Sequence, residues 1–145
     1  MGAPIEDPLV VRAVPAHDPL ADFFWSSGAD GRLRILQCNA CGFYIHPPSR
    51  PCPRCLTAEV APAVVSGLGT VLACTVNIQQ WVADQPPYSV AVVELAEQPG
   101  LRLMTNVVGC SPDEVRIGQT VAVTFVHRND IYYPVFVPSG RQRQQ

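Results

Sequence analysis

The residues with the clearest capacity for chemistry are four cysteines in one short segment, CNACGFYIHPPSRPCPRC, at residues 38–55. They form two C-x2-C pairs with ten residues between them. Such pairs occur in zinc sites, in dithiol redox motifs and in some iron–sulfur sites. Two pairs together, with Gly42 directly after the first and Pro53 inside the second, favour a structural zinc ion. The predicted ligands are Cys38, Cys41, Cys52 and Cys55.

Four thiolates fill the tetrahedral coordination of zinc and leave no position for water or substrate, so this pattern predicts one structural ion per chain. His46 lies between the pairs. Because four sulfurs already suffice, we interpret His46 as a surface histidine. Arg50 and Arg54 flank the second pair, either as counter-charges to a zinc–thiolate centre or as solvated loop residues.

Composition narrows the class of protein. The chain has 145 residues, 48% of them hydrophobic, which suits one domain with a small appendage. All ten basic residues are arginines and the formal net charge is −2, so the chain offers no general attraction for nucleic acid. No window of about 18 uninterrupted apolar residues exists, which argues against a membrane span. The proline-broken, acidic start does not resemble a signal peptide, so we expect a cytoplasmic protein whose cysteines bind metal.

The N-terminal third predicts two elements before the cysteines. Residues 1–17 have no periodicity and predict an extended arm that needs support from another surface. Residues 18–31, DPLADFFWSSGADG, predict a short helix with Asp18 as its N-cap. Its apolar surface is too large for a short helix to bury internally, so the helix must dock on the domain or on a partner. The residues of that surface are Leu20, Phe23, Phe24 and Trp25.

The rest of the chain predicts a mainly β protein. Residues 32–62 would form the zinc ribbon and residues 63–138 a five-stranded barrel of the OB type, whose first strand, over 67–82, is bent by glycines. A hairpin turns at Pro99–Gly100, and residues 111–115 form a capped turn. A polar tail occupies residues 139–145. Two single cysteines in the barrel are interpreted as small buried apolar residues, Cys74 and Cys110.

No known catalytic motif occurs in this sequence. It has no phosphate-binding glycine loop, no G-x-S-x-G and no H-E-x-x-H, and its three histidines are scattered at positions 17, 46 and 127. We interpret His127 as a polar residue at a strand end. The sequence therefore predicts a protein without an active site of its own.

Taken together, the aromatic helix segment, the four-cysteine segment and the barrel segments GTVLACTVN and VRIGQTVAVTF resemble the DUF35 family of acyl-CoA-associated zinc-ribbon and OB-fold proteins. The resemblance covers about residues 18–138 and implies the order helix, ribbon, barrel. It also implies that the four cysteines are zinc ligands.

DUF35 proteins accompany thiolase-like enzymes, including thiolases, HMG-CoA synthase assemblies and lipid-transfer-protein-type aldolases that cleave steroid side-chain CoA esters. Some are fused to a MaoC-like hydratase domain. The resemblance thus implies a non-catalytic accessory subunit that stabilises such an enzyme, most specifically a retro-aldolase, and helps to channel its CoA thioester. Candidate contacts to the partner are Phe23, Phe24 and Trp25, and candidate contacts to CoA or the partner are Arg141 and Arg143.

Three alternatives stay open at this point. The partner could be a thiolase or an HMG-CoA synthase type condensing enzyme. The chain could instead be a free-standing module that binds acyl-CoA. An OB barrel could also bind single-stranded nucleic acid through Trp81, Tyr132, Tyr133 and Arg128. However, Tyr132 and Tyr133 are strand neighbours that point to opposite faces, which disfavours nucleic-acid binding.

Overall fold

The computed structural model describes residues 5–140 and contains, in that range, eight strands and one short α-helix. The strands are β1 Arg34–Cys38, β2 Tyr44–Ile45, β3 Val60–Val64, β4 Leu68–Asn77, β5 Tyr88–Leu95, β6 Arg102–Thr105, β7 Thr120–Arg128 and β8 Ile131–Pro138. The helix α1 is Asp22–Ser26, and two single 3-10 turns are Ser27–Asp30 and Pro112–Glu114. The predicted mainly β class is confirmed.

The first three strands form a small antiparallel sheet in the order β2-β1-β3. The alternating apolar residues before the first cysteine place Ile35 in the core with no exposure. Strand β1 ends at Cys38, so the first cysteine pair begins where the sheet stops. This sheet is the frame of the predicted ribbon.

The other five strands form an antiparallel sheet in the order β6-β5-β4-β7-β8. Its two edges meet at an isolated parallel bridge between Val107 and Phe136. There the Val108 amide donates to the Phe136 carbonyl at 2.7 Å, and the Phe136 amide donates to the Asn106 carbonyl at 3.0 Å. The sheet is therefore a nearly closed five-stranded barrel, as the OB prediction requires.

Glycine allows a close contact in the first barrel strand, near an irregularity in its pairing. At Gly69 a Cβ would lie 2.7 Å from the backbone oxygen of Glu94, so β4 and β5 approach too closely for any side chain. The pairing register of β4 against β5 then shifts between Val71 and Ala73. The prediction that this strand reaches residue 82 is wrong, because β4 ends at Asn77 and residues 78–87 form a loop.

Helix, ribbon and barrel share one hydrophobic core. Phe24 from α1, together with Leu33 and Ile35 from the ribbon side, packs in the same cluster as Val71 and Phe136 of the barrel. Burial of this shared apolar surface therefore supplies most of the driving force that packs the helix and the ribbon against the barrel. The ribbon is consequently fixed against the barrel by buried apolar contacts.

The predicted helix over residues 18–31 is shorter than expected. Residues 18–21 form a turn in which the Asp18 carboxylate accepts the Leu20 amide at 2.9 Å, and the Asp18 carbonyl accepts the Asp22 amide at 2.8 Å. Gly31, at φ +78°, ends the following 3-10 turn in a left-handed conformation. Asp18 thus starts the segment, although the α-helix itself begins four residues later.

The described part of the arm, residues 5–17, lies along the barrel. The Arg12 guanidinium contacts Asp7 at 2.9 Å and donates to Asn106 Oδ1 at 3.0 Å. Arg128, at the end of β7, donates to the Leu9 carbonyl at 2.9 Å. The aperiodic arm therefore obtains the support it needs from polar side chains of the barrel.

Candidate functional site

The four predicted zinc ligands converge. The sulfur atoms of Cys38, Cys41, Cys52 and Cys55 all lie within 4.8 Å of one another. The closest pairs are Cys38 with Cys55 at 3.5 Å and Cys41 with Cys52 at 3.7 Å. A tetrahedral zinc with Zn–S bonds of about 2.3 Å requires sulfur–sulfur separations of about 3.8 Å. The two closest pairs match this separation, and the donor set is that of a four-cysteine zinc site.

Local backbone structure presents each cysteine pair. Gly42 adopts φ +78° while its amide donates to the Cys38 carbonyl at 3.0 Å, which closes the first turn. In the second turn the Leu56 amide donates to the Cys52 carbonyl at 2.9 Å. Backbone amides also point at sulfur, since the Cys41 amide lies 3.4 Å from Cys38 Sγ. Each turn thus prepares its sulfurs to carry negative charge.

Full ionisation of all four thiols in the cluster would require a cation. The Cys41 amide hydrogen bond lowers the pKa of Cys38 to about 6. The pKa of Cys55 moves the other way, to about 12, because although the Thr57 amide lowers it, the neighbouring cysteine sulfurs, Cys38 foremost, raise it. Four sulfurs this close cannot all ionise unless a positive ion lies between them. Bound zinc would occupy all four ligands and supply structural stability rather than a site for substrate.

His46 is not the surface histidine that the sequence predicts. Its ring lies 5.0 Å from the ring of Phe24, centroid to centroid, and its Nδ1 is buried without a hydrogen-bond partner among the described residues. Burial lowers the pKa of His46, so the imidazole is neutral at pH 7. The cause is the proline loop between the cysteine pairs, which turns towards the helix.

Of the two arginines that flank the second pair, Arg50 is exposed. The Arg54 guanidinium lies 5.9 Å from the centre of the Phe43 ring, a cation–π distance. Arg54 therefore packs on the ribbon itself.

The aromatic helix docks on its own barrel. Phe24 is only 7% exposed, and its ring meets Trp25 edge-on at 5.0 Å. Trp25 in turn meets Tyr133 of β8 at 5.9 Å. Of the two docking surfaces that the sequence allows, the domain or a partner, Phe24 uses the domain, whereas Phe23 and Trp25 are half-buried. Their contact with a partner stays a prediction; Arg141 and Arg143 lie outside the described residues.

A concave cleft, which the sequence did not predict, opens beside the helix. It has a volume of about 610 Å³ and is called the cleft below. Its walls come from five parts of the chain: the arm, the α1 segment, the proline loop, the outer face of β5 and β6, and β8 at Tyr133 and Pro134. Representative lining residues are Leu9, Trp25, Pro47, Val90 and Met104. Each segment contributes only a few residues, so no local sequence pattern marks the cleft.

The remaining candidate residues make packing, stacking or hydrogen-bond contacts within the fold. Cys74 and Cys110 are half-buried against the core rather than fully buried, and burial raises the pKa of Cys110. His127 stacks on Tyr132 with ring centres 4.1 Å apart. Tyr133 is buried, and its hydroxyl donates to the Ala13 carbonyl at 3.0 Å. Tyr132 and Tyr133 therefore make different contacts, as expected for strand neighbours whose side chains point to opposite faces.

No helix within residues 5–140 is long and apolar enough to cross a membrane.

Two family models match consecutive parts of the chain. A rubredoxin-like zinc ribbon domain of ChsH2 matches residues 25–61, and the C-terminal OB-fold domain of ChsH2 matches residues 63–126. Together they cover the converging cysteines and most of the barrel.

Two curated relatives are longer than this chain. A probable enoyl-CoA hydratase alpha subunit of Thermomonospora curvata is 33% identical over 141 residues, which cover 96% of this chain and 44% of that protein. The 3-oxo-4,17-pregnadiene-20-carboxyl-CoA hydratase alpha subunit of Mycobacterium tuberculosis is 33% identical over 105 residues, which cover 72% of this chain and 33% of that protein. The chain thus spans less than half the length of either relative.

Among solved structures, a chain of the Ltp2-ChsH2(DUF35) aldolase is 35% identical, with a TM-score of 0.77. The match covers 86% of this chain and 98% of that one. The family models and this nearly complete structural match show that the chain belongs to the DUF35 family of zinc-ribbon and OB-fold proteins.

Proposed function

We propose that this chain is a non-catalytic accessory subunit of a thiolase-fold acyl-CoA enzyme. In its most specific form, the partner is a retro-aldolase that acts on a CoA thioester of the steroid side-chain type, and this subunit stabilises it and helps to channel the acyl-CoA. The observation that carries the proposal is the match to nearly the whole DUF35 chain of an aldolase.

The geometry supports a non-catalytic role. The four ligand cysteines leave no free zinc position, so the metal cannot activate water or substrate. In the described part of the chain, His46 has a buried, unpartnered nitrogen and His127 is stacked on a tyrosine. Neither arrangement provides the oriented base that nucleophilic catalysis needs, and His17, which contacts Asp22 at 2.6 Å, is 82% exposed and lies outside the cleft. The chemistry would therefore belong to the partner.

Exposed apolar side chains support a protein partner. Trp81 in the β4–β5 loop is 77% exposed, and its indole nitrogen donates to Asn77 at 3.2 Å, which fixes its position. Ile78 in the same loop is 79% exposed. A pre-positioned tryptophan beside another exposed apolar residue is typical of an interface. The half-buried Phe23 and Trp25, and Arg141 and Arg143 of the tail, are further proposed contacts.

The names of the relatives suggest a second partner. Both curated relatives are described as hydratase alpha subunits, and both are much longer than this chain. We therefore include a MaoC-like hydratase upstream of the aldolase as a proposed partner, with the CoA thioester handled jointly. The hydratase product, a β-hydroxyacyl-CoA, has the chemistry that a retro-aldolase requires.

The test is co-expression with the thiolase-like proteins encoded beside this chain. The complex would be purified through a tag on this subunit, and zinc would be measured by plasma mass spectrometry. We expect co-elution with about one zinc per copy of this subunit. A zinc-loaded chain that elutes alone with every candidate would overturn the proposal.

A product assay then separates the aldolase from a thiolase. In the retro-aldol reaction the Cα–Cβ bond of a β-hydroxyacyl-CoA breaks, the β-carbon becomes a carbonyl, and Cα takes up a proton in place of the one lost from the hydroxyl. No free CoA is consumed, whereas thiolytic cleavage consumes CoA. Cleavage without added CoA supports the aldolase; cleavage of a β-ketoacyl-CoA only with added CoA assigns a thiolase partner.

The structure does not favour the nucleic-acid alternative. Arg128, a proposed phosphate contact, lies 3.3 Å from Asp7 and donates to the Leu9 carbonyl. Tyr133, a proposed stacking residue, is buried at 6% exposure. Both groups already hold the arm, so they are not free to bind a nucleotide.

A further inference from the structure

The cleft has the size and character of a small-molecule site. Its volume of about 610 Å³ falls within the range of about 300–1,000 Å³ that is typical of ligand pockets. Aromatic rings and prolines supply much of its wall, including Trp25, Tyr88, Pro47 and Pro48. Such side chains have few rotatable bonds, so the wall keeps its shape and favours a rigid ligand.

The position of the cleft in the fold also points to a ligand. Strands β5 and β6 are the second and third strands of the barrel, and this face is where OB folds commonly bind oligonucleotides or oligosaccharides. Here Leu9 of the arm, Trp25 of the helix and Pro47 of the proline loop stand against that face. They turn an open platform into a bounded cleft, which suits a compact ligand better than a polymer.

The charges around the cleft indicate an apolar ligand with one polar end. Arg12 is neutralised by Asp7 at 2.9 Å and lies over the Tyr133 ring at 5.1 Å. Burial keeps His46 neutral by lowering its pKa. Arg102 is the less constrained cation, since its side chain is 60% exposed and its Nε lies 3.9 Å from Glu94. The interior of the cleft is therefore largely uncharged, with a cation at its rim.

We infer that the cleft binds the apolar, ring-containing acyl portion of a CoA thioester, with the carbonyl end of the acyl group towards Arg102. The choice of acyl group rests on the proposed function, whereas the site itself rests on the volume, wall and charge of the cleft. This chain would then hold part of the substrate that its partner cleaves.

A single-tryptophan protein can report binding directly. The chain has two tryptophans, Trp25 in the cleft and Trp81 outside it, so W81F leaves Trp25 as the only indole. The full-length, zinc-loaded W81F chain would be titrated with a pregnene carboxylic acid, a steroid whose carboxylate is on its side chain. We expect a saturable change in Trp25 emission with a dissociation constant of about 10 μM, and none with CoA alone. No saturable change up to about 1 mM acid would overturn the inference.

A matched pair of charge substitutions locates the site. Met104 is 78% exposed and lines the cleft, whereas Ile117 is 70% exposed and does not line it. In the W81F background, M104E should weaken binding of the acid by at least about tenfold, because it places a carboxylate beside an apolar ligand that is itself anionic. I117E adds the same charge at a similarly exposed position and should leave binding within about twofold. Equal weakening by both variants would refute the cleft as the site.

Co-elution with the partner, measured on the chain with Trp81 intact, separates this inference from the proposed function. A chain that co-elutes with a thiolase-like enzyme but does not bind the acid, alone or in the complex, refutes only the cleft site. A chain that binds the acid through the cleft but retains no thiolase-like enzyme supports the site and refutes the accessory role.

Discussion

Replacing Gly28 by alanine tests how tightly the helical segment is seated on the barrel. Gly28 is buried in the 3-10 turn that follows α1. A Cβ there would lie 2.4 Å from Cδ1 of Phe125 and 2.7 Å from Cβ of Tyr132. Both positions are closer, by 0.7 to 1.0 Å, than the 3.4 Å at which ordinary contact begins. One added methyl group therefore requires movement on one side or the other.

The size of the effect follows from what can move. The Phe125 ring could rotate, but Cβ of Tyr132 is attached to the β8 backbone, so the turn itself must lift away from the barrel. Overpacking of this kind costs about 1–3 kcal/mol. For a chain of this length that corresponds to a loss of about 3–10 °C in Tm. The same displacement would pull Trp25 away from Tyr133, since α1 directly precedes the turn.

Urea unfolding followed by tryptophan fluorescence would measure the free energy of unfolding. The matched control is Gly31→Asn, three residues later, where a Cβ meets nothing within 4 Å and where asparagine tolerates φ +78°. We expect the control to change stability by less than about 0.5 kcal/mol. Zinc content should be unchanged in both variants, because neither position contacts the cysteine cluster. A G28A protein as stable as the wild type would refute this account of helix docking.

Three further predictions follow from individual groups. Cys52→Ser should reduce bound zinc from about one ion per chain to nearly none, whereas Cys74→Ser, outside the cluster, should retain it; equal zinc contents would contradict the assigned ligands. Asp7→Asn should weaken the bonds to Arg12 and Arg128 and lower the local stability of the arm by about 2 kcal/mol, seen as faster amide hydrogen exchange at residues 7–13 and refuted by unchanged exchange. Burial holds the pKa of His46 below its ordinary value of 6.5, so its contribution to stability is present above about pH 6.5 and is lost as pH falls through the folded-state value. Unfolding at pH 7 and about pH 5 should therefore show a smaller acid loss for H46F than for the wild type, and identical losses would contradict it.

Features encoded by neighbouring residues could be predicted from the sequence. The two cysteine pairs specify their own turns, so the four ligands were found by spacing alone. The capped turn is equally local: the Ser111 amide donates to the Glu114 carboxylate at 2.9 Å across three residues. In the barrel, strict alternation in β5 buries every second side chain, which is why its strands could be placed.

Features that need distant segments could not be predicted in the same way. His46 was interpreted as a surface histidine because four sulfurs already suffice for zinc, while the ring that packs on it, Phe24, is 22 positions away in the sequence. The end of the apolar run over residues 67–82 was interpreted as strand, but residues 78–87 form a loop, in which the Asn77 side-chain amide donates to the Gln79 carbonyl and Gln85 accepts from the Val10 amide of the arm. The cleft could not be predicted for the same reason, because it forms only where five parts of the chain meet.

If the cleft binds an acyl group as proposed, the structural zinc has an indirect part in that binding. The proline loop that carries His46 and Pro47 to the cleft connects the two cysteine pairs, so its path is fixed at both ends by the metal cluster. The inner end of that loop packs on Phe24, which also belongs to the barrel core. Losing the metal would release both ends of the loop, and one wall of the cleft would lose its support. In the proposed binding of an acyl group, the closed four-thiolate site would therefore act without contacting the ligand, because it holds in place a wall that the barrel cannot form alone.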